Sequence, residues 1–196
     1  MDEFKTIITS EEKSVGKSFY IAAIVLIVAT FGFIFSSIQS ASGGAAFGGF
    51  LSFIFALTFY VIGSFQNKKY KQLGETPLTL IPSYCSTGSK TNGSILIKRK
   101  QFNRVKELSL ICWKARDSSG DGTSCWDIVW ETTIIPNIEF SESRTILNFE
   151  FTIPEGIIPT DIGFLSTKKY RWEIGFEFVE KMDALKRTWK IPVKTQ

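Results

Sequence analysis

The chain has 196 residues, 44% hydrophobic and 21% charged, with a formal net charge of +4, which gives room for one domain of ordinary size and an appendage and excludes two full-sized domains. It contains no histidine, which excludes every mechanism built on an imidazole base, relay or metal ligand. The averages hide an uneven distribution of charge: from Ser18 to Asn67 there is no Asp, Glu, Lys or Arg.

Residues 1–18 form a short polar N-terminal segment carrying Lys5, Lys13 and Lys17 together with Asp2, Glu3, Glu11 and Glu12. Residues 19–66 are expected to form a transmembrane helical hairpin. Its first span, Phe19 to Ile38, reads FYIAAIVLIVATFGFIFSSI, and its second, Ala45 to Phe65, reads AAFGGFLSFIFALTFYVIGSF. Each is long enough as a helix to cross the roughly 30 Å of a bilayer core. The connection QSASGG, Gln39 to Gly44, is polar and glycine-rich, so the spans must run antiparallel, and helices are the form in which a short segment satisfies its backbone in lipid. A cleaved signal peptide fits less well, because the first apolar stretch is longer than a signal core and a second follows at once.

The basic residues Lys17, Lys68, Lys69 and Lys71 flank the hairpin and are expected at the membrane interface, while the intervening turn has none. The positive-inside rule then places both ends of the hairpin in the cytoplasm. Gly44 and Gly48 have the G-x-x-x-G spacing that lets helix backbones approach, so they are candidate helix-packing residues, within the hairpin or between copies. Neither span holds an ionisable acid or base, which leaves a proton path or voltage sensor without residues to work with. The hairpin reads as an anchor.

Residues 67–76 read as a basic juxtamembrane linker suited to anionic headgroups, and 77–196 as a single all-β domain. Tyr170, Trp172, Ile174, Phe176 and Phe178 alternate with Arg171, Glu173 and Glu177, a period of two that marks a half-buried strand. Leu147 to Ile153 and Trp126 to Glu131 repeat it. With Leu78 to Ile81, Ser94 to Lys98, Val105 to Lys114 and Arg187 to Val193, about seven strands are expected. Thr91-Asn92-Gly93, Asp117 to Gly122 and Pro154 to Pro159 are read as turns between them. With no amphipathic helices between strands, an antiparallel, immunoglobulin-like sandwich is the expected architecture.

The run LNFEFTIPEGIIPTDIGFLSTKKY, Leu147 to Tyr170, continued by RWEIGFEFV and closed by WKIPV at Trp189 to Val193, resembles the arrestin-like β-sandwich. Ile153-Pro154, Pro159 and Tyr170 match its aliphatic-Pro step, second Pro and aromatic strand start. LTLIP at Leu78 to Pro82 and NGSILIK at Asn92 to Lys98 look like its opening strands. The whole chain is similar to uncharacterised bacterial membrane proteins with two N-terminal spans before such a sandwich. That resemblance implies a multi-pass protein of the bacterial inner membrane and an interaction or scaffolding module. Arrestins have two sandwiches and a phosphate-sensing polar core; a single sandwich here implies neither receptor nor phosphate recognition.

Chemistry is sparse. Cys85, Cys112 and Cys125 match no zinc or redox spacing, and Cys112 shares a strand face with Leu108 and Leu110, a core position. Asp117 to Gly122 imitates half a calcium loop, but Ile128 stands where a bidentate Glu is required. Gly88-Ser89-Lys90-Thr91 lacks the rest of a phosphate loop, and Asn92-Gly93-Ser94 is a glycosylation sequon only in letters. No catalytic, metal-binding or cofactor-binding residue is assigned and no cofactor is expected. The aromatics are not interleaved with basic residues, so no nucleic acid is expected either. The expected partners are the lipid bilayer and a protein, with homo- or hetero-oligomers through the spans. The expected role is a membrane-anchored, non-enzymatic interaction or scaffolding protein. Its alternatives are an accessory subunit of a larger membrane complex and a membrane immunity or stress protein.

Overall fold

When one face of an antiparallel sheet is wet, alternate side chains turn inward together, and in the computed structural model of the chain the segments 90–97 and 145–152 obey this rule. The alternation expected from Trp126 to Glu131 is instead broken, with Ile128 and Val129 both exposed beside a register shift at Cys112 and Trp113. The described residues are 5–40, 43–116, 125–156, 170–180 and 183–194. They divide into two compact units: Glu12–Gln72, which is helical, and Met1–Glu11 with Leu73–Gln196, which is built of strands.

The helical unit contains α1 (Glu12–Ser40) and α2 (Gly43–Leu73), of 29 and 31 residues. Both contain a stretch long and apolar enough to cross a membrane, with only 11% and 22% of those stretches buried. The core helix of a soluble protein would instead be mostly covered. The helices overrun the apolar segments. Gln39 and Gly44 are helical, which shortens the expected turn; Ala41 and Ser42 lie outside the described residues. At the other end Lys68, Lys69 and Lys71 lie on α2 and not in a linker, because Lys, Gln, Tyr and Leu are all compatible with helix and nothing interrupts it before Gly74. Gly74 has φ +70°, the left-handed conformation that ends helices one residue past their last turn.

The two helices meet along small residues spaced seven apart. Gly16, Ala23 and Thr30 are buried on α1, and Gly49, Ala56 and Gly63 on α2, a heptad spacing that keeps one stripe of each helix in contact. A Cβ on Gly63 would come within 3.1 Å of Phe19 Cβ and 3.4 Å of the Gly16 carbonyl oxygen. Ser52 Oγ and Thr30 Oγ1 both donate to the Leu26 carbonyl, at 3.0 and 2.8 Å. Phe19 stacks on Phe59 and Tyr20 meets Tyr60 edge-on.

The strands, in chain order, are β1 (Thr6–Ile8), β2 (Leu78–Ile81), β3 (Cys85–Ser86), β4 (Lys90–Ile97), β5 (Leu108–Arg116), β6 (Cys125–Ile134), β7 (Asn137–Phe140), β8 (Thr145–Thr152), β9 (Tyr170–Glu180), β10 (Asp183–Ile191) and β11 (Val193–Lys194). A five-stranded sheet has the order β1-β2-β4-β8-β7 and a four-stranded sheet the order β10-β9-β5-β6. All pairings in these two sheets are antiparallel, while β3 and β11 pair in parallel. One core takes Leu78, Leu80, Ile95 and Leu147 from the first sheet and Leu110, Trp172, Ile174 and Trp189 from the second. The indole of Trp189 donates to the Thr76 carbonyl at 2.9 Å inside it. Arg99 closes a bidentate pair with Glu180, both bonds 2.7 Å.

Eleven strands among the described residues replace the expected seven. β1, β3 and β7 are too short to display a period, and Pro192, without an N–H, divides the last predicted strand into β10 and β11. β1 matters most: Thr6, Ile7 and Ile8 pair with Leu80, Thr79 and Leu78, so part of the segment expected to be a separate N-terminal stretch belongs to the β unit. Glu11 adds to this through its N–H to the Thr188 carbonyl, at 2.9 Å, and its carboxylate to Lys190 Nζ, at 2.7 Å. Asn92-Gly93 is no turn; it lies within β4, opposite Glu150 and Phe149 of β8. The Asp117 to Gly122 turn and Pro159 fall outside the described residues.

Candidate membrane-interface site

Cations at the end of an apolar helix are carried at spacings of three and four, so they gather on one face. On α1, Lys13 and Lys17 are one turn apart; on α2, Asn67, Tyr70 and Lys71 share a face. The helices are in contact here: a Cβ on Gly16 would stand 3.6 Å from Asn67 Cβ and 3.7 Å from the Gly63 carbonyl oxygen, ordinary van der Waals distances. The result is a cleft of about 290 Å³ within the hairpin, lined by Lys13, Lys17, Lys71, Asn67 and the rings of Tyr20 and Tyr70, with Glu12 as its acid.

Of the four lysines expected at the interface, Lys17 and Lys71 line this cleft and are exposed. Lys68 and Lys69 do not line it. The Lys69 ammonium instead lies 4.8 Å over the ring of Phe65, a long side chain covering apolar surface with its stem while its charge stays near water. Tyr20, Asn67 and Tyr70 were not singled out from the sequence, and Lys13 was named only among the N-terminal charges. The helical spacings 13/17 and 67/70/71 held the signal, but assigning 67–76 to a linker concealed it.

The glycines expected to pack helices are placed differently from one another. Gly44 is exposed, and Gly48 is half-buried with the ring of Phe33 3.3 Å from where a Cβ would be. The buried position is Gly49, one residue on, which continues through Ser52, Ala56 and Gly63 along the stripe that faces α1.

In the β unit the thiols of Cys85 and Cys112 are buried and that of Cys125 is exposed; all three are free. Burial pushes the Cys85 thiol up to about 12, against a smaller opposing effect of its hydrogen bond with Thr91, and burial alone pushes Cys112 up to about 11. A thiol held protonated is a poor nucleophile and a poor metal ligand. Among the described residues no group of three or more Cys, Asp or Glu side chains is placed to hold a metal ion. A depression of about 410 Å³ is lined by Thr79, Ile81, Asn92, Ser94 and Asn148 with Gly93 and Phe149, none of them ionisable. On the outer face of the four-stranded sheet, Trp113 Nε1 donates to Glu173 at 2.8 Å, Glu173 pairs with Arg171 at 2.9 Å, and the Arg171 guanidinium lies 4.6 Å over Trp126. Each polar group there meets another of the same cluster.

β6 is an end strand of its sheet. Ile128 and Val129 on it are exposed, as is Ile135 just beyond it, which is 80% exposed.

No family model and no curated protein matches the chain. Among solved structures it is similar to Spo0M, the sporulation control protein of Bacillus subtilis, with a TM-score of 0.42 and 10% identity, over 62% of this chain and 49% of that one. The match spans about half the length of Spo0M, and no role is carried across on it.

Proposed function

We propose that the chain is a membrane-anchored, non-enzymatic interaction protein. In this reading α1 and α2 cross the bilayer as a hairpin, and the β unit is an arrestin-like sandwich on the cytoplasmic side that presents itself to a protein partner. The observation that carries it is the pairing of β1 with β2. These neighbours in one sheet are the strands immediately before α1 and immediately after α2, which supports a hairpin that leaves the β unit and returns to it. The lysines at the outer ends of both helices support the cytoplasmic side. Among the described residues β6 ends its sheet, with Ile128 and Val129 exposed, which supports an edge of the kind an extended partner segment adds to.

The test has two parts. In a variant with Cys125 as its only cysteine, a membrane-impermeant maleimide should label Cys125 in inside-out vesicles and not in sealed cells; labelling in sealed cells would overturn the orientation. A photocrosslinker in place of Val129 should capture a discrete protein in living cells, and the product should disappear when Ile128 is replaced by Lys. Crosslinks to lipid alone, or to many proteins equally, would count against the interaction role.

A further inference from the structure

We propose that the cleft at the base of the hairpin is a binding site for the phosphate-bearing headgroup of an anionic phospholipid. The inference rests on the membrane-spanning reading above and adds a ligand to it. Its first support is depth. Lys17 is the last charge before the charge-free block and Lys68 the first after it, so a cleft lined by Lys17, Tyr20, Asn67 and Lys71 spans the level at which hydrocarbon gives way to headgroups. Tyr20 and Tyr70 are the residue type that settles at that level, with an apolar ring and a polar tip.

Charge is the second support. Three lysines, Lys13, Lys17 and Lys71, line the cleft against one carboxylate, Glu12, and Lys68 and Lys69 precede Lys71 on α2. The N-terminus of α1 favours an anion and the C-terminus of α2 disfavours one, so the helix dipoles offset each other and the lysines set the sign. Size is the third. At about 290 Å³ the cleft is just smaller than the usual small-molecule sites of about 300–1,000 Å³. That suits a phosphate with part of its glycerol linkage, whose acyl chains would follow the apolar helix surface away from the lysines. A free inorganic phosphate would use the same ammonium groups but leave the rings of Tyr20 and Tyr70 without a partner.

The full chain in a neutral detergent, offered equal amounts of phosphatidylglycerol and phosphatidylcholine, should retain one phosphatidylglycerol preferentially in native mass spectra. Lys17→Gln and Lys71→Gln should each lower that retention about fivefold, the effect of one lysine near an anionic surface. Lys17→Arg and Lys71→Arg should preserve it, and Lys100→Gln, in the β unit, should leave it unchanged. Equal retention of the two lipids, full retention by the double Gln variant, or displacement of the lipid by millimolar inorganic phosphate would overturn the assignment. Flotation with phosphatidylcholine vesicles separates the two readings. A chain that fails to float defeats the membrane reading, whereas one that floats without preferring phosphatidylglycerol defeats the headgroup site alone.

Discussion

A Cβ on Gly93 would clash with the outer edge of the ring of Phe149, its partner across β4 and β8, so the strand accepts only glycine there while the ring keeps its place over the backbone. Gly93→Ala should therefore lower the stability of the β unit by about 1–3 kcal/mol, the cost of overpacking a core, read from urea unfolding. Combined with Phe149→Leu the loss should be less than the sum of the two single effects, because the smaller side chain vacates the disputed space. Additive losses would show that the glycine serves something other than the ring. Asn-Gly reads locally as a turn, and the ring that requires the glycine comes from a strand distant in sequence; local signals cannot contain it. The buried thiols give a second residue-scale expectation. Both keep their protons well above the ordinary value of 9.0, whereas the unfolded chain loses them near it. Between about pH 9 and the folded values the unfolded state binds fewer protons, so stability falls as pH rises. The loss of stability between pH 8 and 10.5 should shrink in a Cys85→Val, Cys112→Val variant; an unchanged slope would assign the alkaline loss to other groups.

At the scale of elements, the hairpin seam makes a distinction that glycine spacing alone does not. Gly49 and Gly63 are buried between α1 and α2 whereas Gly44 is exposed. In a cysteine-free background, disulfide crosslinking of Ala23→Cys with Ala56→Cys in membranes should be efficient. It should fall severalfold with Gly49→Leu or Gly63→Leu and remain with Gly44→Leu; loss with Gly44→Leu alone would show that the helices meet on another face. Of the G-x-x-x-G pair, Gly48 packs on Phe33 of α1 while Gly44 is exposed; the buried Gly49, Ala56 and Gly63 continue the seam, and a seven-residue repeat of small residues is a weaker pattern to the eye than two glycines four apart. Strands with a long period of two, such as Tyr170 to Phe178 and Leu147 to Ile153, were legible because each alternation is stated within one segment. β1 was not, since Thr6-Ile7-Ile8 has no alternation and its partner follows the whole hairpin. The cleft was half legible: Lys17 and Lys71 stood out as charges bounding an apolar block, but their convergence depended on α2 continuing past Lys68.

For the whole molecule, the decisive contact is small. β1 adds three residue pairs to the edge of the five-stranded sheet, and Ile8 packs against the core. Ile8→Asp, which places a carboxylate beside that core, should lower the stability of the β unit by about 1–3 kcal/mol, measured by thermal unfolding in detergent. The helical unit should keep its α-helical circular dichroism through that transition. If Ile8→Asp left the unfolding temperature unchanged, β1 would be an ornament on the sheet and its pairing would say little about the hairpin.

The pairing of β1 with β2 also sets an order of events during synthesis. β1 is made first, yet the strand it joins begins only at Leu78, so at about 5–20 residues per second it waits several seconds for a partner. In that interval the hairpin has emerged. On the proposed membrane reading, a chain in which only one of the two helices crossed the bilayer would leave β1 on the opposite side from β2, and the sheet would lack its edge. Completion of the sheet would thus double as a check that both helices have crossed: a chain with one helix left out presents β2 as an open edge to the cell's proteases.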